Sequence, residues 1–145
     1  MNVELPFAPV DTVIRRNAGE LRVSADAAEE LARRIQGHGA QLAHGAAKRA
    51  DEDGRKTLMA EDFDAPVLDT ERLELPVAPI DRIARLDIDD RFRVSMDARV
   101  ALAGELEAYA DRVAAAAAFL ARHADRRTVK AEDVDAYYEL EPYFE

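Results

Sequence analysis

The stretch that decides the fold is Ser95–Asp125, which reads SMDARVALAGELEAYADRVAAAAAFLARHAD. It contains no proline and a single glycine, Gly104, and Ser95 is a good helix N-cap. One set of apolar residues recurs at steps of three and four, which predicts one long amphipathic helix; they are Leu102, Leu106, Tyr109, Val113, Ala117, Leu120 and Ala124. At ~1.5 Å per residue the helix would be on the order of 40 Å long. A small domain can bury such a helix only against a partner of similar length.

The chain contains that partner 71 residues earlier, where residues 24–53 repeat the layout of residues 95–125. The match extends to both sides: residues 5–11 correspond to 75–81, residues 22–24 to 93–95, and residues 55–63 to 126–134. A repeat of this length indicates a tandem fusion of two similar units rather than a solenoid. A unit of about seventy residues is marginal alone, so we expect the two units to share one core.

The coarse pattern predicts an all-α protein in which each unit has a short helix, a long helix and a second short helix. We place the first unit at residues 1–64, the linker at 65–74 and the second unit at 75–145. The predicted helices span residues 10–16, 24–52, a short stretch from about 60 that Pro66 ends, 80–88, 95–125 and 131–140. The tail 141–145 is expected to be irregular, with its aromatic side chains packed on the body of the protein.

Composition narrows the class of protein. The chain of 145 residues has no cysteine, which excludes disulfides and thiolate metal sites. It shows no apolar run of membrane-spanning length and no signal-peptide pattern, so we expect a cytoplasmic protein with no membrane partner. His38 and His44 do not share a helix face, and no metal site is expected. Nothing resembles a nucleophile–base pair or a phosphate loop, so we expect no enzyme activity, cofactor or small-molecule substrate.

The repeated motifs resemble those of the archaeal histones. They are Leu-Pro-x-Ala-Pro-Val/Ile at residues 5–10 and 75–80, Arg-Val-Ser at 22–24 and 93–95, and Arg-Lys/Arg-Thr followed by Ala-Glu-Asp at 55–62 and 126–133. Because both units match in order, the chain resembles a fused double histone of the haloarchaeal kind. The resemblance implies two tandem histone folds that form an intramolecular handshake pseudo-dimer. It also implies short parallel pairings of Val23 with Val129 and of Val94 with Leu58.

The resemblance further implies a DNA-binding histone that bends or wraps duplex DNA with little sequence specificity, on the chromosome or at promoters. Arg22 and Arg93 match the arginine that enters the minor groove. The pairs Lys56–Thr57 and Arg127–Thr128 match the loop that grips phosphate. Arg82 matches an arginine of the first helix, whereas the other unit has Thr12 there. The candidates to replace that missing contact are Arg15, Arg16 and Arg85.

Other matched positions imply structural roles. Arg55 with Asp62, and Arg126 with Asp133, match an internal salt bridge that braces the loop. Leu120 and His123 match residues through which family dimers join into a four-helix bundle. The first unit has Arg49 and Glu52 at those two places, so self-association is expected through the second unit alone, with a plain surface histidine as the alternative.

The charge leaves alternatives open. The chain has 30 acidic and 20 basic residues, a net charge of −10, and only three of the basic residues are lysines. The excess of acidic residues and the preference for arginine over lysine resemble the composition of proteins from salt-loving archaea. The alternative is an acidic protein from a high-GC bacterium. The alternative function is a histone-fold module for protein–protein interaction, or a transcription regulator with weak or no DNA binding. Carboxylates interrupting the basic surface would favour that alternative.

Overall fold

The structure, a computed structural model, describes residues 3–144; Met1, Asn2 and Glu145, the last residue of the predicted tail, lie outside it. Five α-helices and four two-residue strands make up its regular structure over this range. The helices are α1 (Phe7–Ala18), α2 (Ala25–Glu52), α3 (Val77–Ala84), α4 (Met96–His123) and α5 (Ala131–Leu140). The strands are β1 (Arg22–Val23), β2 (Thr57–Leu58), β3 (Arg93–Val94) and β4 (Thr128–Val129).

Both long helices begin where their sequences predict, and α2 also ends at its predicted residue. Ser24 and Ser95 cap them by accepting a hydrogen bond from the backbone N–H three residues on, which satisfies one of the unpaired donors of the first turn. Gly54 stops α2 with a φ of 72°. Asp125 adopts a φ of 58°, so α4 ends at His123, two residues before the predicted boundary.

The crossing of α2 and its neighbours requires a residue without a side chain. A Cβ on Gly39 would lie 2.7 Å from Ile83 Cγ2 and 2.9 Å from Leu106 Cδ1. Ile83 and Leu106 are both fully buried. The absence of a side chain at Gly39 therefore sets how closely α2 approaches α3 and α4 in the middle of the molecule.

The two units form a handshake pseudo-dimer rather than two separate domains. Helices α1, α3 and α5 each contact both long helices. Strand β1 pairs with β4 in parallel, with Arg22 opposite Thr128 and Val23 opposite Val129. Strand β2 pairs with β3, with Thr57 opposite Arg93 and Leu58 opposite Val94. The all-α fold class and both predicted pairings are confirmed.

Several element boundaries differ from the predictions. Helix α1 begins at Phe7 because the first turn of a helix needs no backbone donors, so Pro9 fits inside it. Helix α3 runs over Val77–Ala84 rather than residues 80–88. Five residues beyond its end, the Asp89 carboxylate accepts from Arg91 N at 2.9 Å and the Asp89 carbonyl from Phe92 N at 3.1 Å, a local turn that keeps residues 89–92 out of the helix.

The third helix of the first unit is reduced to a 3-10 turn, Ala60–Phe63. Asp64 follows in the left-handed region, with a φ of 51°, and Pro66 then prevents the helix from continuing. The prediction for the tail was wrong. Residues Glu141–Phe144 form a 3-10 turn, and the side chains of Tyr143 and Phe144 are 82% and 78% exposed rather than packed on the body.

Candidate nucleic-acid interface

Two equivalent loop pairs stand at opposite ends of the crossed helices. In one pair, Arg22 N donates to Arg127 O at 2.8 Å and Ser24 N donates to Val129 O at 3.0 Å. In the other, Arg93 N donates to Lys56 O at 2.8 Å and Ser95 N donates to Leu58 O at 3.0 Å. These bonds satisfy loop groups that would otherwise lack partners.

Alternation along the short strands separates anchors from exposed side chains. The anchors Val23, Leu58, Val94 and Val129 are buried. Arg22 and Arg93 point to solvent, and the threonines opposite them, Thr128 and Thr57, are half-buried. The preceding residues Arg127 and Lys56 are both exposed. Each loop pair therefore presents two cationic side chains beside one threonine hydroxyl.

The four cations of the loop pairs are free of ion pairs. Across residues 3–144, no carboxylate lies within 4.0 Å of the charged groups of Arg22, Lys56, Arg93 or Arg127. Arg22 and Arg127 share an open cleft of about 430 Å³ that Glu20 and Leu21 also line. Each loop pair therefore presents two cations that no carboxylate of residues 3–144 neutralises.

A buried carboxylate braces each loop pair. Asp62 accepts from both terminal nitrogens of Arg55, at 2.8 and 2.9 Å, and from Met59 N at 2.7 Å. Arg55 in turn donates to Thr57 O at 3.0 Å. The guanidinium thus ties the loop that carries Lys56 and Thr57 to the turn that carries Asp62. The hydrogen bonds from Arg55 hold the pKa of the Asp62 carboxyl below its usual range.

The second unit repeats this brace. Asp133 pairs through both oxygens with Arg126 and accepts from Lys130 N at 2.8 Å. Arg126 also donates to Thr128 O at 3.5 Å, and its pKa is raised mainly by the hydrogen bond to Asp133. The side chains of Asp62 and Asp133 are almost fully buried. Arg55 and Arg126 are therefore committed to the loop framework.

The arginines of the short first helices differ from those of the loops, because each is ion-paired. Arg15 Nε lies 2.7 Å from Asp11, and Arg82 Nε lies 2.8 Å from Glu4. Arg85 Nε lies 3.1 Å from Asp81 and donates through Nη1 to Phe92 O at 3.2 Å. Neighbouring carboxylates thus interrupt the middle of the basic surface, the arrangement that favours the protein-interaction alternative, whereas they leave the cations of the loop pairs unpaired.

Arg16 is held most firmly of these residues. Its Nη2 lies 2.9 Å from Glu107 and 2.8 Å from Asp111 on α4. The hydrogen bond to Asp111 is the main cause of its raised pKa. Burial alone would raise the pKa of Asp111, but hydrogen bonds from Arg16 and Asn17 lower it below the usual value. Arg16 joins α1 to α4 and so connects the two units.

The candidate self-association residues lie on the outer face of α4. Leu120 is half-buried and His123 is exposed. The sequence analysis missed their neighbour Phe119, which is 61% exposed and whose ring is stacked parallel to His123, with the centroids 6.2 Å apart. The signal was present in the repeat: Phe119 lies off the core stripe, and the first unit has Lys48 at the same place.

Other site classes find little support in the described range. Residues 3–144 contain no cluster of three His, Asp or Glu side chains that could hold a metal ion. His38 stacks on Tyr109, and His44 instead approaches the backbone of Asp87. None of the helices described is both long and apolar enough to cross a membrane.

Comparison with known proteins agrees with this architecture. Residues 3–67 and 73–136 each match the family described as histone-like transcription factor (CBF/NF-Y) and archaeal histone. The chain is 57% identical over 61 residues, 42% of its length, to the archaeal histone HAN1 of Thermococcus zilligii, and the match covers 88% of that protein. The crystal structure of the histone from Methanopyrus kandleri is 27% identical, has a TM-score of 0.68, and is matched over 90% of both chains.

A second crystal structure, of a protein from Thermus thermophilus, has a TM-score of 0.72 at 15% identity over 97% of this chain and 98% of its own, a likeness of fold alone. Two crossed long helices, short flanking helices and paired loops define the class: a histone fold, present twice in one chain. The chain belongs to the family of histone-like transcription factors and archaeal histones.

Proposed function

We propose that this chain is a DNA-binding histone that grips the backbone of duplex DNA at two separated points with little sequence specificity. One observation carries the proposal. Each loop pair presents an arginine and a second cation, braced from behind by a buried carboxylate, and these four cations have no acidic partner within residues 3–144. The chain would act on the chromosome in the cytoplasm.

The chemistry of the loop pairs suits a DNA backbone. A guanidinium offers rigid donors that fit phosphate or a narrow minor groove, and threonine hydroxyls and loop N–H groups add short donors. None of these side chains stands on a helix that could enter the major groove, where base sequence is read. Selectivity would therefore come from how easily a sequence bends.

The acidic surface limits the long-range part of this attraction. With a net charge of −10, the protein as a whole repels DNA over long range at low ionic strength, while the loop cations attract phosphates at contact. At 1 M salt the Debye length is only ~3 Å, which screens the repulsion together with the attraction. Binding would then depend on short contacts from Arg22, Arg93, Lys56 and Arg127. Arg15, Arg16, Arg82 and Arg85 would contribute less, because each already has a carboxylate partner.

The proposal is tested by comparing two double variants that lose equal charge. Arg22→Ala with Arg93→Ala removes one free cation from each loop pair. Arg15→Ala with Arg82→Ala removes one ion-paired arginine from each first helix. Duplex binding would be followed by fluorescence anisotropy from low to multimolar KCl, with circular dichroism reporting the fold at every salt concentration.

The loop variant should lose most of the affinity, and the slope of log K against log salt should become shallower by about 2, since each lost phosphate contact removes ~0.9. The helix variant should stay close to the unchanged protein. Equal losses in both variants would show that only total charge matters and would overturn the site assignment. Folded protein that binds no duplex at any salt would instead favour the protein-interaction alternative.

The exposed stripe on α4 favours a second function, pairing of two chains through the second unit. We propose that Phe119, Leu120 and His123 form this contact, since the first unit has charged residues at all three places. Sedimentation equilibrium of Phe119→Ser would test it, with Met96→Ser as a matched control because Met96 is also exposed but lies at the other end of α4. We expect Phe119→Ser to lose the dimer and Met96→Ser to keep it. A dimer of unchanged stability in Phe119→Ser would refute the contact.

A further inference from the structure

An apolar groove lies beside the N-terminal half of α2, away from the loop pairs. It has a volume of about 260 Å³, and Glu29 and Arg33 stand at its polar side. Phe7 at its edge is about half exposed. The apolar lining comes from the N-terminal segment and from α2: Val3, Leu5, Phe7, Ala28 and Ala32.

The repeat within the chain shows what covers the corresponding place in the second unit. The shift of 71 residues brings Arg33 onto Gly104 of α4. The linker passes over Gly104 so closely that a Cβ there would lie 3.0 Å from Leu68 Cδ1 and 4.0 Å from Leu73 Cδ2. Leu68 of the linker thus lies against α4 with about 40% of its surface exposed, whereas the α2 counterpart is an open groove in the described part of the chain.

The chain carries a second segment of the same pattern. The linker segment reads Pro66-Val67-Leu68-Asp69, and the tail reads Pro142-Tyr143-Phe144-Glu145: a proline, two apolar residues and an acid. The two aromatic side chains of the tail are the most exposed of the large apolar side chains in residues 3–144. A proline restricts the unbound segment, which lowers the entropy lost when it docks.

Tail and groove lie next to each other on the surface. Glu141, where the tail begins, lines a cavity of about 510 Å³ together with Arg33 and Arg34, and Arg33 also borders the groove. Arg33 Nε donates to Glu30 at 3.0 Å, and about half of its side chain remains exposed. The acids of an incoming tail would meet this arginine at the mouth of the groove.

We propose that the segment Pro142–Phe144 of one chain docks in this groove of a second copy, with Phe144 as the apolar anchor. Because tail and groove border the same residue, two copies can exchange tails reciprocally about a two-fold axis, which gives a closed dimer rather than a fibre. This contact is separate from the α4 stripe of Phe119, Leu120 and His123 and from the loop pairs. Its test is therefore independent of DNA binding.

The chain contains no tryptophan, which allows a direct test. Phe144→Trp places a single reporter in the tail, and its emission would be followed from nanomolar to high micromolar protein. We expect the emission maximum to shift to the blue as concentration rises, in step with dimer formation by sedimentation. Combining Phe144→Trp with Phe7→Ser should abolish the shift, and thermal unfolding would verify that the groove variant folds.

Two controls separate this contact from its alternatives. Phe119→Ser, added to Phe144→Trp, should leave the blue shift intact, since α4 is not involved. An emission maximum that is blue at all concentrations would place the tail in its own groove and overturn the exchange between copies. An emission maximum typical of water at every concentration, or a shift that persists in Phe7→Ser, would overturn the docking site.

Discussion

The pseudo-equivalent residues Gln36 and Glu107 show how one position can be neutral in one unit and charged in the other. Gln36 Oε1 accepts from Glu4 N at 2.7 Å. Glu107 Oε1 accepts from Glu74 N at 2.6 Å and Leu75 N at 2.9 Å. Both side chains are buried and hold the segment that precedes a first helix. A buried carboxylate needs a cation whereas an amide does not. Arg16 supplies that cation to Glu107 and also pairs with Asp111.

This difference predicts the effect of removing Arg16. Arg16→Ala should destabilise the protein by about 2 kcal/mol, below the 3–5 kcal/mol typical of a fully buried pair because the arginine is partly exposed. Adding Glu107→Gln should recover much of that loss, since Gln36 shows that an amide serves at this position. Urea unfolding of the two single variants and the double variant measures the coupling between the sites. Purely additive losses would contradict this account of Arg16.

Acid should weaken the loop brace in a defined pH range. The folded pKa of Asp62 is lowered, mainly by Arg55, so its contribution to stability is fully present above the unfolded pKa of about 3.9. That contribution is lost as the pH falls through the lower folded pKa. The stability gap between the unchanged protein and Asp62→Asn should therefore be constant from pH 7 to about 5 and narrow below about 4.

The pH prediction is checked by urea unfolding across this range, with Asp90→Asn as the control. Asp90 is exposed and makes no ion pair within residues 3–144, so its variant should follow the unchanged protein at every pH. A gap between Asp62→Asn and the unchanged protein that stays constant to pH 2 would show that the carboxylate does not supply the brace.

At the scale of elements, two glycines of α2 make opposite predictions. Gly37 has open space where a Cβ would stand, whereas a Cβ on Gly39 would overlap Ile83 and Leu106. Gly37→Ala should stabilise the protein by up to about 1 kcal/mol, the helix-propensity gain. Gly39→Ala gains the same propensity but meets an overpacking cost of about 1–3 kcal/mol. Thermal and urea unfolding should show that Gly37→Ala is more stable than Gly39→Ala. The reverse order would refute the close crossing at Gly39.

Much of the element plan is predictable from local patterns. The cap serines, the stripe of apolar residues and the glycine stop fix α2 and α4 because each is a property of neighbouring residues. The end of α3 at Ala84 was not predictable in this way, because Ile80, Ala84 and Ile88 keep a helical spacing past that end. The exposure of the tail was not predictable either, because it depends on whether a surface of the folded chain covers Tyr143 and Phe144. Within the described range, none does.

The candidate interface was less accessible to sequence reasoning than the helices. The motifs place Arg22, Lys56, Arg93 and Arg127 in the loops, but they do not tell which cations have acidic neighbours. Arg16 meets Glu107 and Asp111 across more than ninety residues of chain, and Arg82 meets Glu4 across 78. Only the folded arrangement separates free from neutralised arginines.

For the whole molecule, the four unpaired cations of the two loop pairs predict the salt dependence of DNA binding. Four contacts, each releasing ~0.9 counterions, give a slope of log K against log salt of about −3.6. Affinity should then fall on the order of 10²-fold between 50 and 200 mM KCl. Anisotropy titrations at several salt concentrations measure this slope. A slope of about −7 would mean that Arg15, Arg16, Arg82 and Arg85 also exchange their carboxylates for phosphates.

The linker at residues 65–74 has a consequence for how the fold survives dilution. A handshake between separate protomers depends on their concentration, because each protomer alone is too small to be stable. Here the second half is always present at the high effective concentration set by a short tether. Unfolding therefore becomes unimolecular, and exchange of halves with other chains brings no gain in stability. Each half can also diverge: the first has Lys48 and Gln36 where the second has Phe119 and Glu107.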